Sequence, residues 1–321
     1  MLRALVLGVV QGLTEFLPIS SSAHLSIVPK LLGYPVPTLS FEVFLHFGTL
    51  VAVLAYFARD LWGFVLALVA PGRLGAAEAA VRRRLLLLLV LASVPAAVIG
   101  FLLQDWADEQ TSHPLRASVW LVVTTMVLIA AELYARGRGP VLPVAAEATV
   151  ESEVGRRRAP AGLRSDEGAA GDGGATREAG ATGAGGPPSG SVEQLEHLPA
   201  GRALGIGIAQ ALALIPGTSR SGITISAGLF LGVSREAAAR FSFLLSIPAI
   251  LGAGILKLGD LQAAGESGAE LLVGFLASAV AGFLAVSVLI RLLRTHTLWP
   301  FIWYRLIAGT AFVVLLATVR G

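Results

Sequence analysis

Residues 11–25 read QGLTEFLPISSSAHL, and how they are read decides the fold. Thr14, Glu15, Ser20, Ser21, Ser22 and His24 crowd around Pro18 in otherwise apolar sequence. The apolar run before the proline, residues 3–17, suits a helix but falls short of the roughly 20 residues that span a bilayer. Pro18 disfavours helical geometry at Leu17, and the next run, about 21–33, is shorter still and carries Pro29. Two half-length helices broken at a Pro/Ser turn predict a re-entrant hairpin that enters and leaves on one side.

A second stretch, LIPGTSRSG at residues 214–222, repeats the pattern. Apolar residues from about 203 lead to Pro216, a Ser-rich turn follows, and a short run ends near Gly232. Gln11 precedes Pro18, Ser20 and Ser21, as Gln210 precedes Pro216, Ser219 and Ser221; Phe41 and Phe241 then open crossings. Apolar runs at about 41–59, 85–103 and 117–135 follow the first turn, and runs at about 238–258, 271–290 and 300–318 follow the second. The predicted fold class is an all-α polytopic membrane protein of two repeats. Each repeat is a broken re-entrant hairpin plus three transmembrane helices, giving six full spans and two re-entrant hairpins.

Composition agrees. Of 321 residues, 55% are hydrophobic and only 14% charged, with a mean hydropathy of +0.76, whereas soluble domains are about a quarter charged. The N-terminal MLRALVLGVV has the basic start and apolar run of a signal peptide, but no small-residue cleavage site follows, and it reads as retained. The chain lacks cysteine, so any metal is held by oxygen or imidazole. A net charge of +3 does not imply nucleic acid, because the arginines lie between apolar spans rather than in one patch.

Residues 1–136 form the first repeat and 203–321 the second. The segment 137–202 is Gly/Ala/Pro/Ser-rich with charges of both signs, and its composition predicts a disordered cytoplasmic loop. Three crossings per half leave the second half starting on the opposite face, so the repeats are expected to be inverted. Loop charges give the orientation. The loop expected over 60–84 carries Arg73, Arg82, Arg83 and Arg84; Arg136, Arg202, Arg235, Arg240, Arg291 and Arg294 fall on the same side, which is the inside. Asp105, Asp108, Glu109, Asp260, Glu266 and Glu270 fall outside. The first hairpin then enters from outside and the second from the cytoplasm.

Gln11 and Glu15, four residues apart, share one helix face. A carboxylate at membrane depth costs several kcal/mol unless paired, solvated or bound to a cation, so Glu15 marks a cavity or an ion pair. One of the serines after Pro18 is expected to cap the following half-helix, and a helix N-terminus also offers N–H groups to an anion. His24 is either a packed polar residue or, beside Glu15 and those serines, a catalytic base, and that company favours the base. In the second turn Gly217 and Gly222 permit close backbone approach, Thr218, Ser219 and Ser221 supply hydroxyls, and Arg220 supplies a fork matched to phosphate oxygens. No acidic neighbour pairs Arg220 locally, so its partner is Glu15 or an anionic ligand. The combination points to a phosphorylated, lipid-like substrate.

EFLPISSSAHL with upstream Gln11, and PGTSRSG followed by REAAARFSFLLSIPAI, closely resemble the signature segments of the undecaprenyl-diphosphate phosphatase family, also called the bacitracin-resistance protein family. The resemblance covers the chain outside the 137–202 insert. It implies hydrolysis of undecaprenyl diphosphate to the monophosphate carrier lipid of peptidoglycan synthesis, at an active site facing the outer side of the bacterial plasma membrane, with a divalent cation such as magnesium or calcium. The family's acidic motif falls on Gln11 and Glu15, its serines and histidine on Ser20, Ser21 and His24, and its phosphate-binding arginine on Arg220. Gln11 stands here in place of a second carboxylate, and Ser22-Ala23 where many relatives have Thr-Gly.

On this reading Arg220 and the two turns hold the diphosphate, and the cation bridges Glu15 and phosphate. Ser21 or a water attacks, with His24 or Glu15 as base. His46, within the first full crossing, either lines the cavity or packs. The competing class is a lipid-phosphate transporter built on the same repeats. Whether the chain works alone or as a homodimer is left open.

Overall fold

The computed structural model describes residues 1–35, 37–103, 106, 109, 114–137, 194–257 and 267–318, and among them the regular elements are all helical. The expected cytoplasmic loop lies outside the described residues from 138 to 193. The first hairpin is α1 (Leu2–Phe16) and α2 (Ser21–Leu31). Helix α1 stops at Leu17, which is extended at φ −64°, ψ 142°, as the residue before a proline is pushed to be. There follow α3 (Leu39–Tyr56), α4 (Ala58–Val69), α5 (Ala76–Leu102) and α6 (Pro114–Gly137). The second hairpin is α7 (Ala200–Ala211), a 3₁₀ turn at Leu212–Leu214, and α8 (Arg220–Phe230). Helices α9 (Arg235–Leu256), α10 (Gly268–Leu293) and α11 (Trp299–Thr318) complete the chain.

Helices α5, α6, α9, α10 and α11 are each long and apolar enough to cross a bilayer. A sixth crossing exists if α3 and α4, bent by 73° at their junction, count as one span. The chain is a multi-pass membrane protein, and Val90, Val98, Met126, Val280, Leu284 and Ile307 point outward where lipid would lie.

The loop expected over 60–84 is in large part helix. Residues 58–69 turn Gly63, Phe64 and Ala67 inward, and α4 packs along α5. Helix α5 begins nine residues before the apolar run that signalled it, where Arg82 donates to Glu78 one turn back at 2.9 Å, the spacing that supports a helix start on charged sequence. The expected 137–202 loop also ends early. Leu195 and Leu198 are buried in the main core, and Arg84 donates to the carbonyls of Glu196 and Leu198, each at 2.7 Å.

Ion pairs gather certain helix ends. Buried Glu132 at the end of α6 accepts from Arg136 and from Arg235 at the start of α9. Glu236 accepts from Arg240 and from Arg294, just past α10. The end of α6, the start of α9 and the end of α10 therefore share one face. The N-terminal ammonium lies 3.0 Å from Glu270 at the start of α10, which puts the N-terminus at the other end of that helix.

Helix α1 packs on α10 and α7 on α5, while α3 meets α9 and α6 meets α11. Both hairpin helices come close through glycine. A Cβ on Gly8 would strike the backbone of Gly274, and one on Gly207 the backbone of Ala92. The Phe16 and Phe243 rings meet edge to face at 5.4 Å in the core behind the first turn.

Candidate active site

The tips of the two hairpins interlock. Ser22 Oγ of the first accepts from Gly217 N of the second at 3.0 Å, and Ser221 Oγ of the second donates to Leu17 O of the first at 3.1 Å. Gly217, at φ +89°, lies against the Ala117 carbonyl of α6, where a Cβ would collide; only glycine combines that dihedral with that approach.

Glu15 is the centre of what the tips bring together. The last turn of α1 carries it, 8% exposed. Its Oε1 accepts from Arg220 Nη2 at 2.8 Å. Its Oε2 accepts from Ser21 Oγ at 2.7 Å and from Gln11 Nε2 at 3.1 Å. His46 on α3 turns its Nε2 to the same oxygen at 3.7 Å, while its Nδ1 donates to Glu42 O at 2.8 Å. Of the two readings of His46, the structure favours the one in which it lines the site.

His24 does not join this group. Its Nδ1 lies 2.7 Å from Ser20 O and its Nε2 2.7 Å from the Tyr304 hydroxyl. A carbonyl can only accept, so Nδ1 carries the proton and, in the neutral ring, Nε2 accepts from Tyr304. Both ring nitrogens are committed away from Ser21.

The expected serine caps divide between the turns. Ser219 caps α8, its Oγ accepting from Gly222 N at 3.2 Å, which commits that N–H within the turn. Ser20, at the same place before α2, forms no side-chain cap bond; its hydroxyl lies 3.2 Å from Ser22 Oγ instead, as Ser219 Oγ lies 3.2 Å from Ser221 Oγ. Its φ of +73° and ψ of 101° turn it away from the extended geometry of a usual N-cap, and the start of α2 is left without that bond.

Three buried polar atoms in or beside the group have no partner among the described residues: Arg220 Nη1, Thr218 Oγ1 and Gln11 Oε1. Leaving such atoms unpaired costs about 1–3 kcal/mol each, a cost that an oxygen-rich ligand would offset. The arrangement offers a hydroxyl bonded to a carboxylate, a guanidinium with free donor capacity, and a helix N-terminus beside them.

Two residues that contribute here were not singled out from the sequence. Tyr304 reaches His24, and Arg305, 1% exposed, reaches the first turn through Pro18 O at 3.1 Å. The signal was an arginine within the apolar run 300–318, which holds no acidic residue; a charge so placed needs partners from other helices.

The family model described as bacitracin resistance protein BacA matches residues 4–311. Undecaprenyl-diphosphatase of Geobacter sulfurreducens is 40% identical over 320 residues, covering 98% of each chain. The undecaprenyl-diphosphatase of Alcanivorax borkumensis is 41% identical over 324 residues, again covering 98% of each. That of Pelotomaculum thermopropionicum is 38% identical over 315 residues, covering 98% of this chain and 96% of its own. Both hairpin tips and every described crossing but the end of α11 fall inside the matched region, and the chain belongs to the bacitracin resistance protein BacA family.

Proposed function

We propose that this chain is an integral-membrane hydrolase that removes the terminal phosphate of undecaprenyl diphosphate, returning the monophosphate carrier to cell-wall synthesis and conferring bacitracin resistance as its family's description says. The observation that carries this reading is the single carboxylate of Glu15, bonded at once to the Ser21 hydroxyl and the Arg220 guanidinium. That set supplies a nucleophile, a base and an electrophilic fork within one hydrogen-bond shell.

Ser21 Oγ attacks the terminal phosphorus and passes its proton to Glu15 Oε2. The bond from that phosphorus to the bridging oxygen breaks, and undecaprenyl phosphate leaves with the bonding electrons and takes up the proton that Glu15 had accepted, which frees the carboxylate again. Water then attacks the phosphoserine with Glu15 again taking a proton, and inorganic phosphate departs as Ser21 regains its hydrogen. Arg220 offers Nη1, which is without a protein partner, to the equatorial oxygens; phosphoryl transfer depends chiefly on such positioning and charge neutralisation. Gln11 orients Glu15. With both ring nitrogens engaged elsewhere, His24 supports the turn rather than accepting the serine's proton.

A magnesium or calcium ion suits the residues present. Gln11 Oε1 is a buried oxygen without a partner beside the Glu15 carboxylate. Among the described residues no three of His, Cys, Asp and Glu are grouped to hold a metal, so Glu15 and Gln11 would hold the ion together with phosphate oxygens and water, as magnesium sites commonly do. When bound, such an ion neutralises charge on the phosphate oxygens.

The inverted-repeat reading of the fold is supported by paired features. Helices α2 and α8 are both 11 residues long, and two residues past each end stands a glycine of positive φ, Gly33 and Gly232. The cross-packing of α1 on α10 and of α7 on α5 exchanges the halves, as does the exchange of Ser22 and Ser221 between the tips. We count α3 with α4 as the sixth span. The face gathering Arg136, Arg235, Arg240 and Arg294 is then cytoplasmic by the excess of arginine expected there. The first hairpin accordingly opens to the outer side of the plasma membrane.

Purified protein in detergent, given long-chain prenyl diphosphate, is expected to release inorganic phosphate. A protein that moves the lipid across vesicles and releases none is a transporter, and the hydrolytic reading fails.

A further inference from the structure

The first hairpin's tip is held at two carbonyls, Pro18 O directly from the far half of the chain and Ser20 O through His24. Arg305 Nη1 donates to Pro18 O at 3.1 Å. Its other bonds fasten it to α6, through Thr125 Oγ1 at 2.8 Å, Leu121 O at 3.0 Å and Thr124 Oγ1. All of these acceptors are neutral, so a 1% exposed guanidinium is spent on holding backbone and hydroxyls rather than on a carboxylate. The preceding residue, Tyr304, donates to His24 Nε2, and His24 Nδ1 donates to Ser20 O, both at 2.7 Å. The Tyr304 ring also stacks on the imidazole at 5.7 Å, and Phe312 closes its other side edge-on at 5.6 Å.

Between these two grips Ser20 adopts φ +73°, the one positive φ of a non-glycine residue among those described. Side chains disfavour that region, and it persists only where surrounding structure over-determines it. The next residue is Ser21, whose hydroxyl meets Glu15. A tip that relaxed at Ser20 would re-aim that hydroxyl.

We infer that Tyr304, acting through His24, and Arg305 are positioning residues for the hydrolysis: together they hold Ser20 in its left-handed conformation and so aim Ser21 Oγ at the reacting phosphorus. This rests on the reading of Ser21 as nucleophile. Neither residue touches the substrate, so their loss lowers kcat and leaves KM nearly unchanged.

The test compares glycine with alanine at position 20. Both remove the Ser20 hydroxyl, but only glycine adopts positive φ without penalty. Tyr304→Phe is expected to lower kcat by roughly 10- to 100-fold, the effect of a small misplacement of a reacting group. The same loss is expected in a Ser20→Ala background and a much smaller one in Ser20→Gly. Equal losses in both backgrounds would mean that Tyr304 merely packs, and would overturn the inference. A second measurement does not depend on turnover. The chain has no cysteine, so Ser21→Cys carries a lone nitroxide label. Its spectrum is expected to gain a mobile component with Tyr304→Phe and with Arg305→Met; unchanged line shapes in folded protein overturn the clamp even if catalysis proceeds by another route. Conversely, a label that loosens as expected while Ser21→Ala retains turnover keeps the clamp and removes the nucleophile.

Discussion

Arg220 Nη2 lies 2.8 Å from Glu15 Oε1 across 205 positions of sequence, each residue carried on the tip of a different hairpin. Glu15 is buried and Arg220 partly so, and the pair leaves Arg220 Nη1 unsatisfied. On the proposed reading, that free donor receives an anionic ligand.

Arg220→Lys retains the charge but loses the planar fork. Turnover of prenyl diphosphate in detergent is expected to fall by roughly 10²–10³-fold, the usual effect of removing one transition-state donor. Near wild-type turnover would exclude the assigned role.

Ser21→Ala and Glu15→Gln remove two members of one reacting unit, and losses within such a unit do not add. Each alone is expected to lower kcat by about 10⁴-fold or more, and the double variant by little beyond the worse single. Substantial hydrolysis by Ser21→Ala, measured as phosphate release, would favour direct attack by water.

Gly8→Leu and Gly207→Leu each drive a side chain into the backbone of the other half. Both are expected to lower the thermal midpoint in detergent, by a stability loss of about 1–3 kcal/mol or more from overpacking. If Gly8→Leu melts like the parent, α1 does not pack on α10 as described.

Glu132→Gln breaks a fully buried carboxylate away from Arg136 and Arg235. Breaking one side of such a pair costs about 3–5 kcal/mol. A markedly lower thermal midpoint is expected, with kcat per folded molecule retained, since this cluster lies among helix ends away from Glu15.

Much of the site was legible in the sequence because polar residues in apolar surroundings must be explained. Pro18 and Pro216 broke the helices where the structure breaks them, and the lack of a local acidic partner for Arg220 pointed across the fold. Helix α4 was not legible: most of it fell within the loop expected over 60–84, and only the packing of Gly63, Phe64 and Ala67 toward α5 marks it as helix. Leu195 and Leu198 were lost in a segment whose average composition is polar, although two leucines are enough to dock its end. Whether His24 is base or support was not legible, because the choice turns on Tyr304, 280 residues away, which no local spacing reveals.

The packing of α1 on α10 has a consequence for how the protein is made. Helix α1 is made before α10, its main partner, and the carboxylate it carries meets its arginine only when the second hairpin arrives. Until then Glu15 would lie unpaired in lipid if the hairpin were fully inserted, at a cost the bilayer opposes. The early hairpin is therefore expected to stay near the surface until the later helices enter. Helix α1 thus depends on partners made long after it, and the site closes only once the second hairpin is in place.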